Sequence, residues 1–140
     1  MIQQKIQQTR RRFTLTATFA LLFGALTFGT AAHALQAIQD IADSPVPAGL
    51  STTQVKKAMI RAGARRNWIV RESGAGALEA TLHNRKHMVK VDIQYNRKSY
   101  SITYKASANM KYKGGLIHKK YNAWVRNLDQ DIQRELLLSE

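Results

Sequence analysis

Between Ala77 and Lys105 apolar and polar residues alternate with a period of two, and no other feature of the chain limits its fold as tightly. In Ala77–His83, Leu78, Ala80 and Leu82 fall in one phase, with Glu79, Thr81 and His83 in the other. In His87–Tyr95, His87, Val89, Val91, Ile93 and Tyr95 alternate with Met88, Lys90, Asp92 and Gln94. Beyond Asn96-Arg97, Tyr100, Ile102 and Tyr104 alternate with Ser101, Thr103 and Lys105. Successive side chains of a strand point to opposite faces, so each segment has one apolar and one wet face. The short turns between them predict an antiparallel meander. Trp68–Glu72, before the turn residues Ser73-Gly74-Ala75-Gly76, adds a short strand and makes the count three or four.

A helix is expected on each side of the meander. Ser51 and Gln54 have capping-box spacing, and Val55, Ala58, Met59 and Ala62 then share one helical face. Gly63 reads as the stop, with Arg61, Arg65 and Arg66 as a solvated helix end. From about His118 to Leu137, Tyr121, Trp124, Val125, Leu128, Ile132 and Leu136 form a longer stripe. Such a stripe needs an apolar surface to cover, and the meander offers one. The expected fold is α+β, a two-layer sandwich of the sheet under an N-terminal and a long C-terminal helix. Leu35–Leu50, interrupted by Pro45 and Pro47, reads as a flexible leader to a single domain over 51–140.

The first 34 residues are of a different kind. Lys5 and Arg10-Arg11-Arg12 precede 20 uncharged residues, Phe13–Ala32, which end at Ala32-His33-Ala34. That order matches a cleaved export signal with cleavage after Ala34. Twenty uncharged residues are also long enough for a retained membrane anchor, but five threonines and two glycines dilute them. The arginine run allows twin-arginine as well as general secretory export. A periplasmic address follows from the signal. Of the 22 basic residues in the chain four lie in this segment, leaving 18 against 9 acidic ones, so the basic excess survives cleavage. The chain has no cysteine, which excludes disulfides, thiolate chemistry and a lipidated N-terminal cysteine.

Enzyme motifs are absent: there is no Gly-x-Ser-x-Gly elbow, no His-Glu-x-x-His and no phosphate-binding glycine loop. Glu79 and Asp92 are expected to be neighbours on the wet sheet face beside Lys90, as surface ions rather than an acid–base pair. His83 and His87 flank a turn, and two imidazoles there are the only candidate metal ligands. Without a third ligand, and with Arg85 and Lys86 between them, no metal and no cofactor is expected.

The remaining anomaly is Lys111-Tyr112-Lys113-Gly114-Gly115-Leu116-Ile117-His118-Lys119-Lys120-Tyr121. A helix start is positive and prefers acidic residues, yet here His118, Lys119 and Lys120 are read into the first turn. Free amides and lysines together suit a phosphate or sulfate. The anion-binding candidates are therefore Lys111, Tyr112, Lys113, Gly114, Gly115, His118, Lys119 and Lys120. Tyr112 is the aromatic of this region that no core stripe explains.

Several of these residues also carry a resemblance. Val91-Asp92-Ile93-Gln94-Tyr95, Tyr100-Ser101-Ile102-Thr103-Tyr104-Lys105, Ser107-x-Asn109, Tyr112-x-Gly114-Gly115-x-Ile117-His118 and Tyr121-Asn122-x-Trp124-Val125 resemble a family of small exported proteobacterial proteins, often labelled hypothetical or lipoprotein. The resemblance covers roughly Ile60 to Ile132 and implies the export address and the fold, without an activity. Lys113 stands where that family often has an acidic or amide residue, and the missing cysteine separates this chain from its lipoproteins.

The sequence thus points to an exported binding module whose partner is an anionic envelope component: a lipid phosphate, lipopolysaccharide or an acidic protein surface. The alternative is a small periplasmic enzyme, a hydrolase or metal-dependent, with its site around His118, Tyr112 and Asn109. Nucleic acid suits the charge but not the compartment.

Overall fold

The computed structural model describes residues 35–140. The expected export signal and its cleavage site lie outside the described residues. Within them the chain is α+β, with a five-stranded antiparallel sheet, a two-stranded ribbon and two helices. In chain order the elements are β1 (Leu35–Ala37), β2 (Ile41–Pro45), α1 (Thr52–Arg65), β3 (Trp68–Gly74), β4 (Ala77–Asn84), β5 (His87–Tyr95), β6 (Ser99–Ala108), β7 (Leu116–His118) and α2 (Lys120–Leu137). No helix among the described residues is long and apolar enough to cross a membrane.

Strands β3 to β6 pair in chain order, Glu79 standing opposite Asp92 and Ile93 opposite Ile102. The alternation sets this register, because a slip by one residue would carry the whole apolar set to the wet face. Leu78, Ala80, Val89, Val91, Ile93 and Ile102 are completely buried and share one core with Val55, Met59, Val125, Leu128, Ile132 and Leu136 of the two helices. The capping box at α1 forms in both directions, from Gln54 N–H to Ser51 Oγ and from Ser51 N–H to Gln54 Oε1.

The sheet has five strands rather than three or four, because the leader does not behave as a flexible arm. β2 forms the edge of the sheet, Ile41 opposite Ile102 and Pro45 opposite Ser99, with a bulge between Ile41 and Ser44. An edge strand tolerates proline, because only one side of its backbone has to pair. β1 joins β7, and Asn122, 1% exposed, donates to Ala37 O (2.9 Å) and accepts from Gln39 N–H (3.0 Å). Val46 and Leu50 are buried in the main core. Leu35–Leu50 is thus an integral part of the domain.

Gly63 is the second departure. It lies inside α1, which continues to Arg65, and its place marks a close approach between helix and sheet. A Cβ there would sit 2.4 Å from Val70 Cγ2 and 3.4 Å from Trp68 Cβ. Gly63→Ala should therefore destabilise by about 1–3 kcal/mol, overpacking outweighing the usual helical preference for alanine. Chemical denaturation would reverse this account if the variant proved more stable than the native chain.

Candidate functional site

The anomalous segment folds as a loop, a tight hairpin and a helix start. Lys113 and Leu116 exchange both backbone hydrogen bonds (2.9 and 3.0 Å) around Gly114 and Gly115, whose φ values are +55° and +80°. A two-residue turn with both central residues left-handed calls for glycine. The pair thus makes a hairpin tip. The helix begins at Lys120, later than the sequence suggests, and His118 belongs to β7, opposite Leu35. The His118 ring still serves the helix start, its Nδ1 accepting the Lys120 N–H at 3.2 Å. One amide expected to be free for a ligand is therefore taken.

Lys111, His118, Lys119 and Lys120 do meet. With Lys86, His87 and Asn109 they line a cavity of about 630 Å³. Two hydrogen bonds hold the loop against the β4–β5 turn: Asn109 Nδ2 donates to Lys86 O (2.6 Å), and His87 Nδ1 donates to Asn109 O (2.8 Å). Asn109 and Lys111 are both left-handed, with φ near +58° and +54°, which turns the chain sharply about Met110. Met110, 1% exposed, anchors that turn in the core. The rings of His87 and His118 stack at 6.1 Å, and Trp124 lies 6.3 Å from His87.

Three of these seven residues, Lys86, His87 and Asn109, are absent from the anion-site candidates. Lys86 and His87 reach the cavity through strand pairing, which joins segments more than twenty residues apart. Four candidates fall elsewhere: Lys113, Gly114 and Gly115 form the hairpin, and Tyr112 stacks on Tyr104 at 4.8 Å. Tyr104 in turn meets buried Tyr121 edge-on at 5.6 Å. Of the grouping of His118, Asn109 and Tyr112 considered for an enzyme, the first two line the cavity, while Tyr112 stacks on Tyr104.

Charge separates this end of the molecule from the open sheet face. There Lys90 and Lys105 bind Glu79 (2.8 and 3.0 Å), and Lys105 also binds Asp92 (2.8 Å). The hydrogen bonds from Lys90 and then Lys105 hold the Glu79 carboxyl below its ordinary value, the reverse of what a general acid requires. Arg61 and Arg65 bind Glu135 at 2.8 and 2.6 Å, and Arg66 binds Asp131. These arginines are helix-to-helix ties rather than a merely solvated end. None of Lys86, Lys111, Lys119 and Lys120 has a carboxylate partner among the described residues, and no carboxylate lines their cavity. Four cations gathered without counter-charge raise the local concentration of anions.

His83 and His87 do not form a pair. His83 stands opposite Met88 and Asn84 opposite His87, so the two imidazoles belong to opposite faces of the sheet. Among the described residues no group of three or more His, Asp and Glu side chains could hold a metal ion. No known protein family matches the chain, and no curated protein or solved structure matches it.

Proposed function

We propose that the chain is an exported binding module that takes a phosphate-bearing component of the cell envelope into the Lys86–Lys111–Lys119–Lys120 cavity. One observation carries the reading: these four lysines surround a common volume with no acidic side chain, whereas the lysines of the sheet face are neutralised. Ammonium groups on flexible stems suit a phosphate met as a point charge, and the His87 and His118 rings give the volume a wall. The export signal expected over the first 34 residues would favour an envelope ligand over a cytoplasmic one.

Vesicles test this directly. Vesicles rich in anionic phospholipid should retain the protein in low salt, and retention should fall steeply between about 0.05 and 0.5 M salt as the screening length shortens. Zwitterionic vesicles should not retain it. Changing the four lysines to glutamine removes several charge-assisted contacts of about 1.5 kcal/mol or more each, so affinity should drop at least about a hundredfold. Equal retention on both kinds of vesicle would end the phospholipid version.

A further inference from the structure

The lysine cavity does not stand alone. A second cavity of about 480 Å³ shares Lys86, His87 and Lys120 with it and adds Asn84 and Arg85. A third, of about 520 Å³, shares Asn84 and Arg85 with the second and continues past Trp124 and Asn127 to Trp68 and Asn67. Shared lining residues set the three side by side around the β4–β5 turn. Their chemistry changes from one end to the other, from ammonium groups unpaired among the described residues to indole and carboxamide groups beside Arg65 and Arg66, whose charges Glu135 and Asp131 already meet.

The carboxamides supply the decisive detail. Asn67, Asn84 and Asn127 line the third cavity, and their side chains have no hydrogen-bond partner among the described residues. Asn96, Asn109 and Asn122, elsewhere in the fold, all spend theirs on backbone groups. An amide offers both donors and acceptors, which matches a hydroxyl that must give and receive. Trp124 is partly buried and lines the third cavity, as does Trp68, which is 4% exposed. Arg85, at φ +55° in the turn, has no carboxylate partner among the described residues.

We propose that these adjoining cavities act as one groove that binds a phosphorylated oligosaccharide. A sugar ring lies against Trp124, hydroxyls meet Asn67, Asn84 and Asn127, and phosphates reach Arg85 and the lysine cavity. The proposal rests on the anion reading above and names its ligand class. A single-stranded nucleic acid fits less well, because stacking successive bases favours several large open aromatic faces, and Trp124 is the one indole here that is not fully buried. A bare phosphate would leave the amide end unused.

The chain has two tryptophans, and both line the third cavity, so intrinsic fluorescence reports on that end without a label. Four probes of matched charge or size should be titrated: a phosphorylated oligosaccharide, its dephosphorylated form, linear polyphosphate and a single-stranded oligonucleotide. The phosphorylated oligosaccharide should shift the tryptophan emission and bind about tenfold more tightly than polyphosphate, the scale of one or two added neutral hydrogen bonds. Calorimetry on Trp124→Leu should show that advantage lost with polyphosphate binding intact. Asn127→Ala should show the same in part, and it serves if the tryptophan variant fails to fold. Equal affinity for polyphosphate and phosphorylated sugar, without an emission change, would overturn the proposal and leave the anion reading standing. Tighter binding of the oligonucleotide would overturn it in favour of nucleic acid. No binding of any anionic probe would overturn both readings together.

Discussion

Replacing Arg61 and Arg65 together by alanine should destabilise the domain by about 3–4 kcal/mol, while Glu135→Gln should cost only about 1–2 kcal/mol. The asymmetry follows from which charge is left behind. Glu135 is a buried side chain of α2, 4% exposed, and accepts from Arg61 Nε (2.8 Å) and Arg65 Nε (2.6 Å) at the end of α1. Both arginines are about half exposed, 50% and 54%, so removal of the carboxylate lets them turn to water. Removal of both arginines strands an anion in the interhelical seam, and an uncompensated buried charge is among the most damaging single defects. Equal costs in urea denaturation would show that the seam admits water and that this account is mistaken.

The same carboxylate sets an acid limit. Its hydrogen bond with Arg61, and then that with Arg65, hold Glu135 below its ordinary value of 4.5, against the opposing effect of burial. A carboxyl whose folded value is depressed binds more protons in the unfolded chain. Its stabilisation is therefore present above pH 4.5 and is lost as pH falls through the lower folded value. Glu135→Gln should flatten this part of the stability profile, a change that denaturation at pH 6 and below pH 4 would reveal.

The second large effect is expected at Asp129. Its Oδ1 accepts from the Tyr100 hydroxyl (2.6 Å) and the Ser44 hydroxyl (3.2 Å), and so joins α2 to β6 and to the edge strand β2. Gln133 Nε2 completes the cluster, donating to the Tyr100 hydroxyl oxygen (2.8 Å) and to Pro45 O (3.1 Å). Tyr100 is 1% exposed, and burial, then the Asp129 hydrogen bond, push its hydroxyl well above its ordinary value of 10.0. Asp129→Ala leaves that hydroxyl with Gln133 as donor and, to receive its own proton, only the backbone carbonyl of residue 129 at 3.5 Å. A loss of about 2–3 kcal/mol follows, the scale of a hydrogen bond to a charged group. The damage should be local as well as global. Amide exchange in residues 41–46 should accelerate more than in β4 or β5, because β2 pairs with one strand and borrows the rest of its attachment from α2. Uniform acceleration across the sheet would mean that β2 is held by its ladder alone.

The vesicle and groove experiments draw on charges that the sequence makes visible in part. Lys111, Lys119 and Lys120 stand out because basic residues near a helix start go against the dipole. Lys86 carries no such signal, being one polar residue in a short turn. It joins the others because β5 begins beside the Asn109 turn, a consequence of strand register. Asn84 and Asn127 are likewise ordinary surface residues until the groove forms around them.

What the sequence determined by itself is whatever repeats with a local period or caps a local end. Three or four strands, two amphipathic helices and the Ser51–Gln54 capping box are of this kind, because alternation, helical spacing and capping depend on near neighbours. Tertiary structure alone decided the rest. β1, β2 and β7 are strands only because partners lie alongside; Pro45 is admissible because its strand is an edge. Gly63 is a contact rather than a stop because Val70 packs onto it. Arg61, Arg65 and Arg66 are ties because α2 brings Glu135 and Asp131 across from more than sixty residues away. No local pattern records such a meeting, since its energy comes from groups far apart in the chain and close only in the fold.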